Sequence, residues 1–145
     1  MKNDPDEKTV RAWARLVKAQ QKALRIVETA LASAELPPLS WYDVLLELER
    51  VGDSGLRPFE LEREMLLAQY NLSRLIDRIE KAGYVQRQPC EDDGRGHVIV
   101  ITQTGKMMRR RMWPVYAQAI QTAVGDHLTK DQVEALDGVL GKLIG

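Results

Sequence analysis

The feature that most constrains this chain is a change of apolar period part-way along it. Up to Gly83, apolar residues recur at intervals of three and four, the spacing of one face of an α-helix. In Tyr84-Val85-Gln86-Arg87-Gln88 and His97-Val98-Ile99-Val100-Ile101 the period falls to two. Between these stretches lies Glu91-Asp92-Asp93-Gly94-Arg95-Gly96, a polar, glycine-bearing turn, so the pair reads as a short hairpin with a charged tip. From Thr102 the helical period returns. The expected class is mainly α with a small β-hairpin wing, in one domain of 145 residues.

The helical stretches have recognisable ends. Thr9 to about Glu35 reads as one long helix with a seam at Val10, Trp13, Val17, Gln20, Leu24, Val27, Leu31 and Ala34. Leu36-Pro37-Pro38 ends it. Ser40, with Asp43 three residues on, suits the cap of a second helix that buries Trp41, Val44, Leu45, Leu48 and Val51. Gly52-Asp53-Ser54-Gly55 stops that helix, and Pro58 fits the first turn of a third, Phe59 to Met65. After the Leu66-Leu67 link a fourth runs from about Ala68 to Ala82, burying Leu72, Leu75, Ile76 and Ile79, with Gly83 as its left-handed cap. A long helix from Thr102 reaches toward His127, with a kink expected at Pro114. Thr129 and Gln132 form a capping box for the last helix, whose stripe is Val133, Leu136, Leu140 and Leu143.

Composition narrows the function classes. The single cysteine, Cys90, excludes an internal disulfide and a cysteine-built zinc site. No apolar run approaches the ~18 residues needed to span a bilayer, and the first residues lack a secretory h-region, so a cytoplasmic protein without a membrane partner is expected. His97 and His127 with Cys90 compose neither a triad nor a closed zinc site, and no glycine-rich phosphate loop is present. An enzyme is not expected, nor is a cofactor. Net charge is zero, with 21 bases and 21 acids, but the layout is uneven. Residues 67–89 carry four bases and two acids, and residues 105–125 carry four bases and no acid. A neutral total therefore leaves room for a basic face.

Helix, short link, helix and charged hairpin form the order of a winged helix-turn-helix, whose second helix enters the major groove of double-stranded DNA. The residues expected at that groove are Gln69, Tyr70, Asn71, Ser73 and Arg74. Gln and Asn can pair with adenine, Arg with guanine, and Tyr and Ser hold phosphate. Arg95, at the hairpin tip between two glycines, suits a narrow minor groove; its alternative is a solvated turn paired to Asp92 or Asp93. The terminal stripes exceed what one small winged core can cover. They point to a homodimer, the alternative being an intramolecular bundle that covers both.

The segment Leu66-Leu67-Ala68-Gln69-Tyr70-Asn71-Leu72-Ser73-Arg74-Leu75-Ile76-Asp77-Arg78-Ile79-Glu80-Lys81-Ala82-Gly83-Tyr84-Val85 resembles the recognition-helix region of the MarR family of bacterial transcription regulators. The wing from Arg87 to Gly96 and Ile101-Thr102-Gln103-Thr104-Gly105 extend the resemblance over about 39–105. Ala68 stands where the family often has serine as the helix N-cap. The resemblance implies a winged DNA-binding core at 39–105 and dimerisation helices at 9–36 and 106–145. It implies a homodimeric, ligand-responsive repressor on a near-palindromic operator. Recognition-helix contacts fall on Gln69, Tyr70, Asn71, Ser73 and Arg74, and the wing arginine on Arg95. Arg78 is expected to brace the wing or meet phosphate. Family effectors are small phenolic or other aromatic acids, held between the dimer helices and the winged unit. Trp13, Trp41, Tyr42, Trp113 and Tyr116 are the candidates to line that cleft, though aromatics at helical spacing also serve as plain core. Cys90 reads as structural. The remaining alternative is a winged-helix protein-interaction module that does not read DNA.

Overall fold

The computed structural model describes residues 3–90 and 96–145. Six helices and one hairpin follow in order: α1 Glu7–Ser33, α2 Leu39–Val51, α3 Pro58–Glu64, α4 Leu72–Lys81, β1 Val85–Pro89, β2 His97–Ile101, α5 Gln103–Ala123 and α6 Lys130–Ile144. β1 and β2 pair antiparallel, Val85 opposite Ile101 and Pro89 opposite His97. Leu56 adds a single bridge to Ile99, which fixes the α2–α3 link against the hairpin.

Two apolar clusters divide the interior, and α2 serves both. Its Val44, Leu45 and Leu48 pack with Leu61 of α3, Leu75, Ile76 and Ile79 of α4, and Val85, Ile99 and Ile101 of the hairpin. Its Leu39 and Tyr42 turn the other way, onto Val27 and Leu31 of α1 and Met112 and Ala119 of α5. Met108 of α5 touches both clusters. This follows from helical period: positions 39 and 42 share one face of α2, and 44, 45 and 48 share another.

The helix ends follow local chemistry, with three departures. α1 closes in a paired C-terminal motif: the Leu36 amide donates to the Leu31 carbonyl and the Glu35 amide to that of Ala32. This places Glu35, a non-glycine, at φ 58°. α4 ends the same way on Gly83, at φ 88°, where the sequence places it. Thr102 caps α5, and Thr129 with Gln132 forms the expected capping box on α6.

The first departure is at α2, which begins at Leu39 with no side-chain cap of its own. Ser40 and Asp43 do not box it. The Leu39 amide donates instead to Glu28 Oε1 of α1 at 2.8 Å. The second is α4, which starts at Leu72 rather than near Ala68, because Asn71 is the N-cap and accepts from the Arg74 amide at 3.1 Å. The third is α5, which passes through Pro114 and stops at Ala123, short of His127, with a separate 3₁₀ turn at Gly125–His127.

The terminal stripes are covered only in part. Val27 and Leu31 are buried, but Val10, Trp13 and Leu16 of α1 are exposed. α6 has no buried residue: Val133, Leu136 and Leu143 of its expected stripe all lie exposed. Within one chain the intramolecular bundle does not form.

Candidate nucleic-acid interface

The candidate reading face begins with how the turn before α4 is held. α3 ends at Glu64, and the chain reaches α4 through residues 65–71. Asp43, buried in α2, secures that turn: Oδ1 accepts from the Leu66 amide at 2.9 Å and Oδ2 from the Leu67 amide at 2.8 Å. An ionised carboxylate that accepts two amide hydrogens makes stronger hydrogen bonds than a neutral acceptor. The turn is therefore anchored at its start, and Gln69, Tyr70 and Asn71 follow within four residues.

These residues occupy different roles from a single helix face. Gln69 and Tyr70 belong to the turn, Gln69 half-buried and Tyr70 fully exposed at 106%. Asn71 spends its side-chain oxygen on the cap. Ser73, Arg74, Asp77 and Arg78 are exposed on α4 itself, opposite Leu75, Ile76 and Ile79. Among the described residues, neither the Arg74 nor the Arg78 guanidinium meets a carboxylate. Arg95 lies outside the described residues.

Among the described residues, the contact that braces the wing to α4 is made by Arg87 of β1. Its Nη2 sits 2.7 Å from Asp77 Oδ1 and its Nη1 2.6 Å from Glu80 Oε1. Its amide also donates to Glu80 Oε2 at 2.9 Å. That amide first, then the guanidinium, hold the Glu80 carboxyl below its ordinary range. The stability so gained is complete above the ordinary carboxylate pKa and is lost as pH falls through the lowered one. The brace also occupies two acids that would otherwise repel phosphate. Sequence reading missed Arg87 because its partners lie seven and ten residues back on another element; alternation along β1 was the available signal. Arg87→Ala is expected to cost about 1 kcal/mol of stability, as read by urea unfolding. Asp77→Asn on that background should restore part of the loss, because it removes one of two neighbouring acids left without their partner. Unchanged stability in Arg87→Ala would contradict the role.

The assembled pieces are a helix, an anchored turn, a second helix with exposed arginines and a hairpin braced to it. A sequence model described as the MarR family matches residues 36–96, the segment that contains them. The HTH-type transcriptional regulator PrsX of Escherichia coli is 29% identical over 105 residues, 72% of this chain and 63% of that protein. The crystal structure of Sco3205, a MarR family transcriptional regulator from Streptomyces coelicolor, in complex with DNA, superposes with a TM-score of 0.86 at 26% identity. That match covers 97% of this chain and 92% of Sco3205. Over residues 36–96, and in its fold, the chain is similar to the MarR family. Its fold is shared over nearly its whole length, whereas the match to PrsX spans less than two thirds of that relative.

In this chain the five aromatic candidates separate. Tyr42, Trp113 and Tyr116 converge: the Tyr42 and Trp113 rings stack at 6.2 Å, and Tyr116 meets Tyr42 edge-on at 4.9 Å. Trp41 instead joins the winged core beside Tyr84, with ring centroids 6.0 Å apart. Trp13 is 66% exposed on the open part of α1. A cavity of about 310 Å³ opens between α2, the end of α3 and α5, lined by Tyr42, Tyr116, Asp43, Glu47, Arg50 and Glu64 among others. Arg50 Nη1 pairs with Glu47 Oε1 at 3.0 Å. Burial pushes the Glu47 carboxyl above its ordinary range against that pairing, and the nearby acids Asp43 and Glu64 add to the rise. The Tyr116 hydroxyl is likewise raised, by burial first and then by Tyr42 and Asp43.

Cys90 is half-buried, and Arg57 Nη2 lies 3.0 Å from its sulfur. Among the described residues, no group of three or more His, Cys, Asp or Glu could hold a metal ion. Nor is any helix among them long and apolar enough to cross a membrane.

Proposed function

We propose that this chain is a sequence-specific transcriptional regulator of the cytoplasm, a ligand-responsive repressor that binds double-stranded DNA as a homodimer on a near-palindromic operator. The observation that carries this reading is the exposed face of α4, where Arg74 in the first turn and Arg78 in the last have no acid partner among the described residues. With α4 in the major groove, Ser73 and Arg74 meet bases or phosphate, Gln69, Tyr70 and Asn71 meet the flanking strand, and Arg78 meets phosphate. Arg95 is assigned to the minor groove. A relative of the same fold, Sco3205, was solved with DNA, which supports the assignment. The open stripes of α1 and α6 support the dimer, since two copies can cover what one leaves exposed.

The test is binding to duplexes selected by the protein from a random-sequence library, followed across a salt series. Affinity should fall linearly on logarithmic axes, with each phosphate contact adding about 0.9 to the slope. Binding without sequence preference, or a monomer by sedimentation, would overturn the reading.

A small aromatic or phenolic effector suits the cavity beside Tyr42 and Tyr116. Three carboxylates face one arginine on its wall, and that arginine is already paired. An uncharged phenol therefore enters at lower electrostatic cost than an aromatic carboxylate. Titration by tryptophan fluorescence at pH 7 should give phenol a Kd about tenfold below that of benzoate, about 1.4 kcal/mol. Tighter benzoate binding would reverse the assignment.

A further inference from the structure

α5 is rooted in the winged core at its first turn. The Thr102 amide donates to the Tyr84 carbonyl at 3.0 Å, and its hydroxyl donates to the Gly83 carbonyl at 2.7 Å. Gly105 lies so close that a Cβ there would overlap the Tyr84 carbonyl oxygen. This is a pivot: it fixes where α5 starts and leaves its angle to be set further along.

About 10 Å up the helix from Thr102, Arg109 supplies the second point. Its Nε lies 2.7 Å from Glu49 Oε1 of α2, and its Nη1 donates to the Tyr42 hydroxyl at 3.2 Å. The guanidinium carbon stands 5.9 Å from the Tyr42 ring centroid. Arg110 approaches the other Glu49 oxygen at 3.7 Å. Both members of the Arg109–Glu49 pair are mostly buried, at 19% and 22% side-chain exposure. Their titrations agree: hydrogen bonding to Arg109 lowers the Glu49 carboxyl, and hydrogen bonding to Glu49 raises Arg109. Among the described residues, the polar contacts of α5 with the winged core beyond its first turn all run through Arg109 and Arg110.

The lever is long enough to matter. α5 has 21 residues, about 30 Å, so a tilt of about 6° moves its far end by about 3 Å, close to the rise of one base pair. We propose that the Arg109–Glu49 pair, with Tyr42 on the same guanidinium, is the positioning contact that sets the spacing of the two DNA half-sites this protein accepts. The inference rests on the dimeric DNA-binding reading above. Arg109 and Glu49 touch no base in it. They act through the angle between α5 and α2, and so on the separation of the two recognition helices.

The experiment takes a duplex selected by the wild-type chain, rebuilds it with one base pair added or removed at its centre, and adds a probe with one half-site only. Wild type should lose about tenfold or more on either altered spacing, since simultaneous engagement is lost. Glu49→Gln, which keeps shape and hydrogen bonding, and Arg109→Gln should lose less than about threefold there. Their binding to the single half-site should stay within about twofold of wild type. An unchanged spacing profile in both variants overturns the proposal, and so does an equal loss on every probe. A wild-type protein without spacing preference would instead sink the dimeric reading itself.

Discussion

Asp43→Ala is expected to lower stability by about 2–4 kcal/mol, because it removes the acceptor for two amides in a half-buried turn. For a chain of this size that corresponds to a fall in Tm of about 10 °C. The Leu66 and Leu67 amides cannot turn to another acceptor without moving the turn, since each donates to its own carboxylate oxygen. The loss should also exceed that of Asp43→Asn, which keeps one acceptor and places an amide group against the other donor. The larger consequence is for DNA: Gln69, Tyr70 and Asn71 lie two to four residues beyond the lost anchor. Affinity measured well below the melting temperature should fall further than the unfolded fraction explains. Urea unfolding and anisotropy on the same samples separate the two effects. A variant within about 0.5 kcal/mol of wild type would show that water satisfies these amides.

Arg74→Ala carries the second large effect, about 1–3 kcal/mol in DNA affinity, with relaxed preference at one operator position. Stability should barely change, because the side chain is exposed and makes no ion pair among the described residues. Its amide already serves the Asn71 cap, and alanine keeps that amide. Competition with single-substituted operators distinguishes base reading from phosphate contact. A uniform loss across all competitors, with the salt slope reduced by about one, would assign Arg74 to phosphate instead.

Most of the architecture was legible because it depends on periods and on local end signals. The hairpin strands, the Gly83 cap and the Thr129–Gln132 box are all written within a few residues of where they act. The errors share a cause. Ser40 and Asp43 have the spacing of a helix cap, yet Asp43 is spent on amides 23 and 24 residues away. No local pattern carries that information. The start of α4 differs for a related reason: the sequence places it at about Ala68, directly after the Leu66-Leu67 link, but Asn71 supplies the side-chain cap and the anchored turn keeps residues 68–70 out of the helix. The contact-bearing residues were recognisable by type and order. Their division between turn, cap and helix was not. Of the aromatic candidates, Tyr42, Trp113 and Tyr116 come together because α2 and α5 cross there. Trp41, one residue from Tyr42 and about 100° round the helix, packs into the other cluster.

The bond from Glu28 to the Leu39 amide bears on how the molecule opens. A boundary at residue 39 separates the terminal helices from the winged core on paper, and Pro37-Pro38 would pass for a hinge. That bond closes the corner instead. If the end of α1 frays, the first turn of α2 loses the one side-chain cap partner it has among the described residues; if α2 frays, an exposed carboxylate loses its donor. The two ends protect one another and open together. The joint between the terminal helices and the core is thus stitched at this corner by a hydrogen bond as well as by apolar packing.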